Sequence, residues 1–112
     1  MISIESLKAS GCDVELGIKR CDGDVDFYLE LVESALEEGR YKKLEGQVAA
    51  GDWKGAFESA HALKGVVMNL SLTPLSNLAC PLTELLRPQA PCNCSELLEK
   101  LLSARKKILF HI

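Results

Sequence analysis

From Val25 to Leu109 the apolar residues of this chain recur at intervals of three and four, and no segment sustains a period of two. That spacing lines them along one face of a 3.6-residue helix, so each segment has to bury a stripe against another helix rather than join a sheet. Val25, Tyr28, Leu29, Val32, Ala35 and Leu36 form the first long stripe, which loses its pattern near Gly39. Tyr41, Leu44 and Val48 carry a second segment to Ala50. Gly51 then stops that helix and Asp52 caps the next, because glycine accepts a left-handed backbone and a carboxylate accepts a free helix N–H. The helix that follows, about 53–71, carries Trp53, Ala56, Phe57, Ala60, Leu63, Val67 and Leu70 along its core face, with Trp53 and Phe57 as core anchors. Thr73-Pro74 reads as an N-cap followed by proline at the first helical position, opening a helix with Leu75, Leu78, Ala79, Leu82, Leu85 and Leu86 inward. Pro81 inside it predicts a kink or a delayed start. Residues 87–94 are the one clear loop, closed by Ser95 as the cap of a last helix bearing Leu97, Leu98, Leu101, Leu102, Ile108 and Leu109. Ahead of these lie two short helical segments, 3–9 and 13–20, the second with Asp13 as its cap, which read as a lid on the end of the domain. The expectation is an all-α fold: an antiparallel four-helix bundle over about 24–111, with short N-terminal capping helices over about 3–20.

A chain of 112 residues fits one core and not two, so a single domain over 1–112 is expected. With 47% hydrophobic and 26% charged residues it has enough apolar material to fold without staples. A net charge of −3 argues against a surface built for nucleic acid or anionic lipid. No apolar run approaches the ~20 residues needed to span a bilayer, and the start lacks the basic and apolar regions of a secretory signal. The chain therefore reads as cytoplasmic, either free-standing or a piece of something longer, and as a monomer whose stripes are satisfied within one bundle. Its five cysteines, Cys12, Cys21, Cys80, Cys92 and Cys94, are an odd count in a chain of this kind, and reduced thiols are expected. Cys92-Asn93-Cys94 could offer two ligands to a soft metal, but a structural zinc site needs about four, so loop thiols are the favoured reading and no metal is expected.

His61 is the residue that core burial does not explain. At about 100° per residue it falls well off the stripe from Trp53 to Leu70, on a side shared with Glu58, Gly65 and Met68, and should be at least partly exposed. Lys64 and Gly65, three and four residues on, are its surface neighbours. A phosphoryl group on an imidazole brings roughly two negative charges, which an ammonium one turn away would offset. Gly65 costs about 1 kcal/mol relative to alanine inside a helix and leaves a notch where another backbone can approach. A surface His followed by Lys is also commonplace, and a helical glycine can equally reflect tight packing. Met68 fits a docking patch or a gap between helices. Glu58 and Asn69 are each either patch rim or solvated surface, and His111 reads as a solvated residue in a favourable last-turn position.

Set in its wider context, His61-Ala62-Leu63-Lys64-Gly65 resembles the His-x-Leu-Lys-Gly hallmark of the histidine-containing phosphotransfer (Hpt) domain of multistep phosphorelays. The resemblance covers nearly the whole chain. The stretch from Gly11 to Asp24 looks like the family's opening, Phe27-Tyr28-Leu29-Glu30-Leu31-Val32 like its first bundle helix, and Asn69-Leu70-Ser71-Leu72-Thr73-Pro74-Leu75 like the link after the histidine helix, with Ser71 where glycine is frequent. What the resemblance implies is a phosphocarrier with His61 as phosphoacceptor, Lys64 holding phosphoryl oxygens, and Gly65, Met68, Glu58 and Asn69 in the partner surface. It also implies Arg87 as a second basic residue near the phosphoryl group and Thr83 or Glu84 as the polar side chain that orients the imidazole. The implied partners are response-regulator receiver domains, with a hybrid histidine kinase as a further one. The receiver would supply the phospho-aspartate and Mg²⁺, and the chain itself carries no glycine-rich nucleotide loop, so no cofactor of its own is expected. The competing class is a helical scaffold that binds a receiver without accepting phosphate.

Overall fold

The computed structural model describes residues 2–110, in which seven helices follow one another: α1 (Ile4–Ala9), α2 (Val14–Arg20), α3 (Val25–Ala35), α4 (Glu38–Ala49), α5 (Trp53–Asn69), α6 (Thr73–Leu86) and α7 (Ser95–Phe110). No strand occurs among the described residues. His111, and with it the far edge of the expected bundle, lies outside them.

Side-chain caps set most helix starts. Asp13, Asp24 and Asp52 precede α2, α3 and α5, and their carboxylates accept the backbone N–H groups of Leu16 (3.3 Å), Phe27 (3.0 Å) and Gly55 (3.0 Å). Each satisfies one of the donors that a helix N-terminus leaves free. Gly51, at φ +73°, makes the left-handed turn between α4 and α5. Two starts differ from expectation by one position. Leu72, not Thr73, precedes α6 and makes no side-chain cap; Thr73 is the first helical residue and its hydroxyl donates back to the Ser71 carbonyl at 3.3 Å. The Leu72 side chain is fully buried, so the core claims the cap position. Ser95 likewise opens α7 from inside, since Leu98 N–H donates to the Cys94 carbonyl at 3.0 Å. Nor does Pro81 delay α6, which begins at Thr73 and runs past it to Leu86 with the proline on the exposed side.

α5 lies between α4 and α6, and α7 packs on the far side of α6. Three-residue links join α4 to α5 and α5 to α6, which makes these neighbours antiparallel. α7 closes the ring: Arg105 Nε donates to the Leu36 carbonyl at 2.7 Å, and its guanidinium lies 5.3 Å from the Tyr41 ring centroid. The core between them is chiefly leucine, with Ala56, Ala60 and Ala79 buried where helices approach closely.

α2 and α3 are fastened to the corner between α5 and α6. Arg20 donates to the Met68 carbonyl at 2.7 Å, Tyr28 OH to the Leu70 carbonyl at 3.0 Å, and Asp13 N–H to the Ser71 carbonyl at 3.0 Å. Ser71 itself turns the corner at φ +56°, a left-handed conformation that explains why glycine is frequent there in the family the sequence resembles. α2 sits so close that Gly17 has no room for a side chain: a Cβ there would lie 2.7 Å from the Leu70 carbonyl oxygen and collide with the Tyr28 ring.

Gly17→Ala is expected to lower stability by about 1–3 kcal/mol, the usual cost of overpacking; urea unfolding should show an earlier midpoint. The tyrosines give a second test. Burial pushes the Tyr28 hydroxyl up to about 12, aided by nearby Cys12, Cys21 and Asp13; burial also pushes Tyr41 to about 12, against the opposing charges of Arg105 and Arg40. Both folded values exceed the ordinary value of about 10, so this contribution to stability is complete below pH 10 and disappears as pH rises through 12. Burial also lifts Cys12 to about 11, which starts the decline nearer pH 9. Tyrosinate absorbance, which only these two residues supply, should therefore develop near pH 12 in the folded protein.

Candidate functional site

His61 stands in the middle of α5, held there by a helix that Asp52 starts and the Ser71 corner stops. Its neighbours Ala60 and Leu63 are buried, whereas His61, Ala62 and Gly65 are exposed and Lys64 is half-buried. The periodicity that pulls Ala60, Leu63 and Val67 into the core therefore turns the imidazole outward.

The imidazole does not stand alone. It stacks on Phe57, one turn earlier on α5, with ring centroids 5.6 Å apart and planes 11° from parallel. The Arg87 guanidinium, just beyond the end of α6, lies 5.2 Å from the centroid of the same Phe57 ring. Arg87 in turn donates from Nε (2.9 Å) and one terminal nitrogen (2.6 Å) to a single carboxylate oxygen of Glu84. The Arg87 hydrogen bond, then the charges of Arg87, Lys64 and His61, hold the Glu84 carboxyl below the usual carboxylate range. Glu84 thus faces Lys64 and His61 of α5 across the α5–α6 groove. Among the described residues, the ion pairs are Lys42–Glu38, Arg87–Glu84 and Lys100–Glu96. The Lys64 ammonium belongs to none of them.

The other expected site residues divide. Gly65 is open: an added Cβ would meet no atom within 4 Å, so tight packing does not account for it. Met68 is 48% exposed, and its sulfur lies 3.7 Å from Cys80 Sγ on α6. Glu58 lines a groove of about 250 Å³ with Arg40, Lys43 and Gln47, on the α4 side of α5 and away from Arg87. Asn69 sits at the helix end, where it lines cavities against α2 and against α3. Thr83 is fully buried and its hydroxyl donates to the Ala79 carbonyl at 2.7 Å, so of the two polar candidates on α6 only Glu84 faces the site. Phe57 was legible only as a core residue. It is half-buried, and its four-residue spacing from His61 was the available signal for the stack.

All five cysteines are free: Cys12, Cys21 and Cys94 are buried, and Cys80 and Cys92 half-buried. Among the described residues no group of three or more His, Cys, Asp or Glu side chains converges as metal ligands, and no helix is long and apolar enough to cross a membrane. An exposed imidazole with an ammonium and a guanidinium close by can accept an anionic group and offset its charge.

No curated protein and no solved structure matches the chain. A family model, the Hpt domain, matches residues 24–107, the span from the Asp24 cap of α3 almost to the end of α7. With three-quarters of its length covered by that match and its helices arranged as a bundle around an exposed mid-helix histidine, the chain belongs to the Hpt domain family, the phosphotransfer carriers of two-component signalling.

Proposed function

We propose that this protein is a phosphohistidine carrier that takes a phosphoryl group from a receiver-domain aspartate onto His61 and passes it to another receiver. The observation that carries this reading is the exposure of the imidazole at mid-helix, one turn before a lysine that joins no ion pair among the described residues and a glycine with empty space around it. Receiver domains are the proposed partners and a hybrid histidine kinase a further one, with the chain acting as a cytoplasmic monomer.

In the forward step a lone pair on an imidazole nitrogen forms a bond to phosphorus as the bond from phosphorus to the aspartyl oxygen breaks. The electron pair of that bond leaves on the aspartate carboxylate. The proton on the other ring nitrogen is kept or released to solvent, and the return step reverses the sequence. An imidazole, with an ordinary pKa of about 6.5, is suited to this at neutral pH because its neutral form keeps a free lone pair. Lys64 and Arg87 offset the charge on the phosphoryl oxygens, Gly65 lets the receiver backbone approach, and Met68 and Glu58 flank the contact, with Asn69 at its edge. Mg²⁺ belongs to the receiver, where it neutralises charge developing on the transferring group.

His61→Gln should abolish acid-labile, alkali-stable labelling from phosphorylated receivers, and Lys64→Ala should slow it roughly tenfold, the worth of one hydrogen bond to a charged group. Retained labelling in the glutamine variant would rule His61 out; binding without transfer by the wild type would favour a scaffold. Gly65 supplies a sharper comparison, because Gly46 in α4 is equally exposed and equally open. Alanine at either position should raise stability by about 0.5–1 kcal/mol. Only Gly65→Ala should slow transfer from a receiver, as read from thermal unfolding and labelling rates measured side by side.

A further inference from the structure

The Phe57 ring touches both the imidazole and the guanidinium of the site, although packing against the core requires neither contact. We propose that Phe57 is a positioning residue for phosphoryl transfer, whose ring sets the plane of the His61 imidazole and holds Arg87 beside it. This rests on the reading of His61 as phosphoacceptor.

The lone pair of an imidazole nitrogen lies in the plane of the ring, so the direction of attack on phosphorus is set by that plane. On a solvent-exposed helix residue the ring is otherwise free to turn about its own bond to the chain. Among the described residues no side-chain hydrogen bond restrains His61, and the Thr83 hydroxyl on the facing helix is committed to Ala79 at 2.7 Å. What restrains the ring is the stack: planes 11° from parallel at 5.6 Å let it slide but resist its tilting. Holding a nucleophile near its line of attack is a direct source of rate.

Arg87 shares the arrangement. Its guanidinium lies 5.2 Å from the Phe57 ring centroid while both of its hydrogen bonds go to Glu84. A phosphoryl group on His61 brings roughly two negative charges against the single charge of Glu84. Arg87 can then move from one anion to the other without leaving the Phe57 ring.

The test uses the whole chain with phosphoramidate as donor, which needs no partner protein: the imidazole nitrogen bonds to phosphorus, the P–N bond of the donor breaks, and ammonia leaves with a proton. Phe57→Leu should label His61 roughly three- to tenfold more slowly, the range of an aromatic pair converted to a rate. Phe57→Tyr, which keeps the ring, should restore the rate. In proton NMR, assigned with His61→Gln, the His61 ring protons should lose aromatic shielding in the leucine variant and keep it in the tyrosine variant, a signature that loss of core packing alone would not produce. Phe57→Met repeats the test if the leucine variant fails to fold. Labelling of wild type and Phe57→Leu at equal rates with equal imidazole shifts would overturn the role of Phe57 and leave the carrier reading standing. A wild type that takes no label on His61 from phosphoramidate or from any receiver would overturn the carrier reading, and this inference with it.

Discussion

The carbonyl end of α5 is the constraint on which the arrangement of this protein depends. A helix C-terminus leaves its last carbonyls without partners inside the helix; here the corner's own N–H groups of Ser71 and Leu72 reach Met68 and Val67, and other elements add Arg20 of α2 for Met68, Tyr28 of α3 for Leu70 and the backbone N–H of Asp13 for Ser71. These bonds fix the corner at which the chain turns from α5 into α6. They also explain the closeness of α2, whose Gly17 leaves no space before the Leu70 carbonyl. The short N-terminal helices therefore act as a clasp on the corner rather than a loose cover over one end.

The corner also determines which residues meet. Phe57 and Arg87 each lie roughly 20–24 Å along their helices from Ser71, at about 1.5 Å per residue. Two antiparallel helices leaving one corner bring those positions level, and so a residue just past the end of α6 comes to rest beside one on the second turn of α5. Glu84, one turn before Arg87, is carried to the same place. The charge pattern of the site, with Lys64 and Arg87 around the imidazole and one carboxylate to balance them, follows from that register.

Much of the fold was legible because its cause is local. Core stripes at three- and four-residue spacing, carboxylate caps at Asp13, Asp24 and Asp52, and the glycine turn at Gly51 are written within a few residues of where they act. Thr73 and Ser95 were misplaced by one position because hydroxyl residues favour the cap position by propensity, while the core requirement for Leu72 and Cys94 decided where the helices begin. Pro81 signalled a kink or a delayed start; the start is not delayed, since buried leucines on both sides of the proline hold α6 against the core from Thr73 onward. At the site, the outward direction of His61 followed from the same periodicity as the core. The separation of Glu58 and Asn69 from Arg87 did not, because it depends on which helix lies on which flank of α5.

By itself the sequence determined that this chain forms helices, most of the face that each one buries, and that a histidine followed by lysine and glycine stands in the middle of a long one. Those properties depend on residues within one or two turns of each other. Tertiary structure alone decided that Arg87 and Glu84 arrive from the next helix to meet the Phe57 ring and face the imidazole stacked on it. These contacts join residues up to 30 positions apart, and their geometry is set by the register of two packed helices, a quantity that local spacing does not contain.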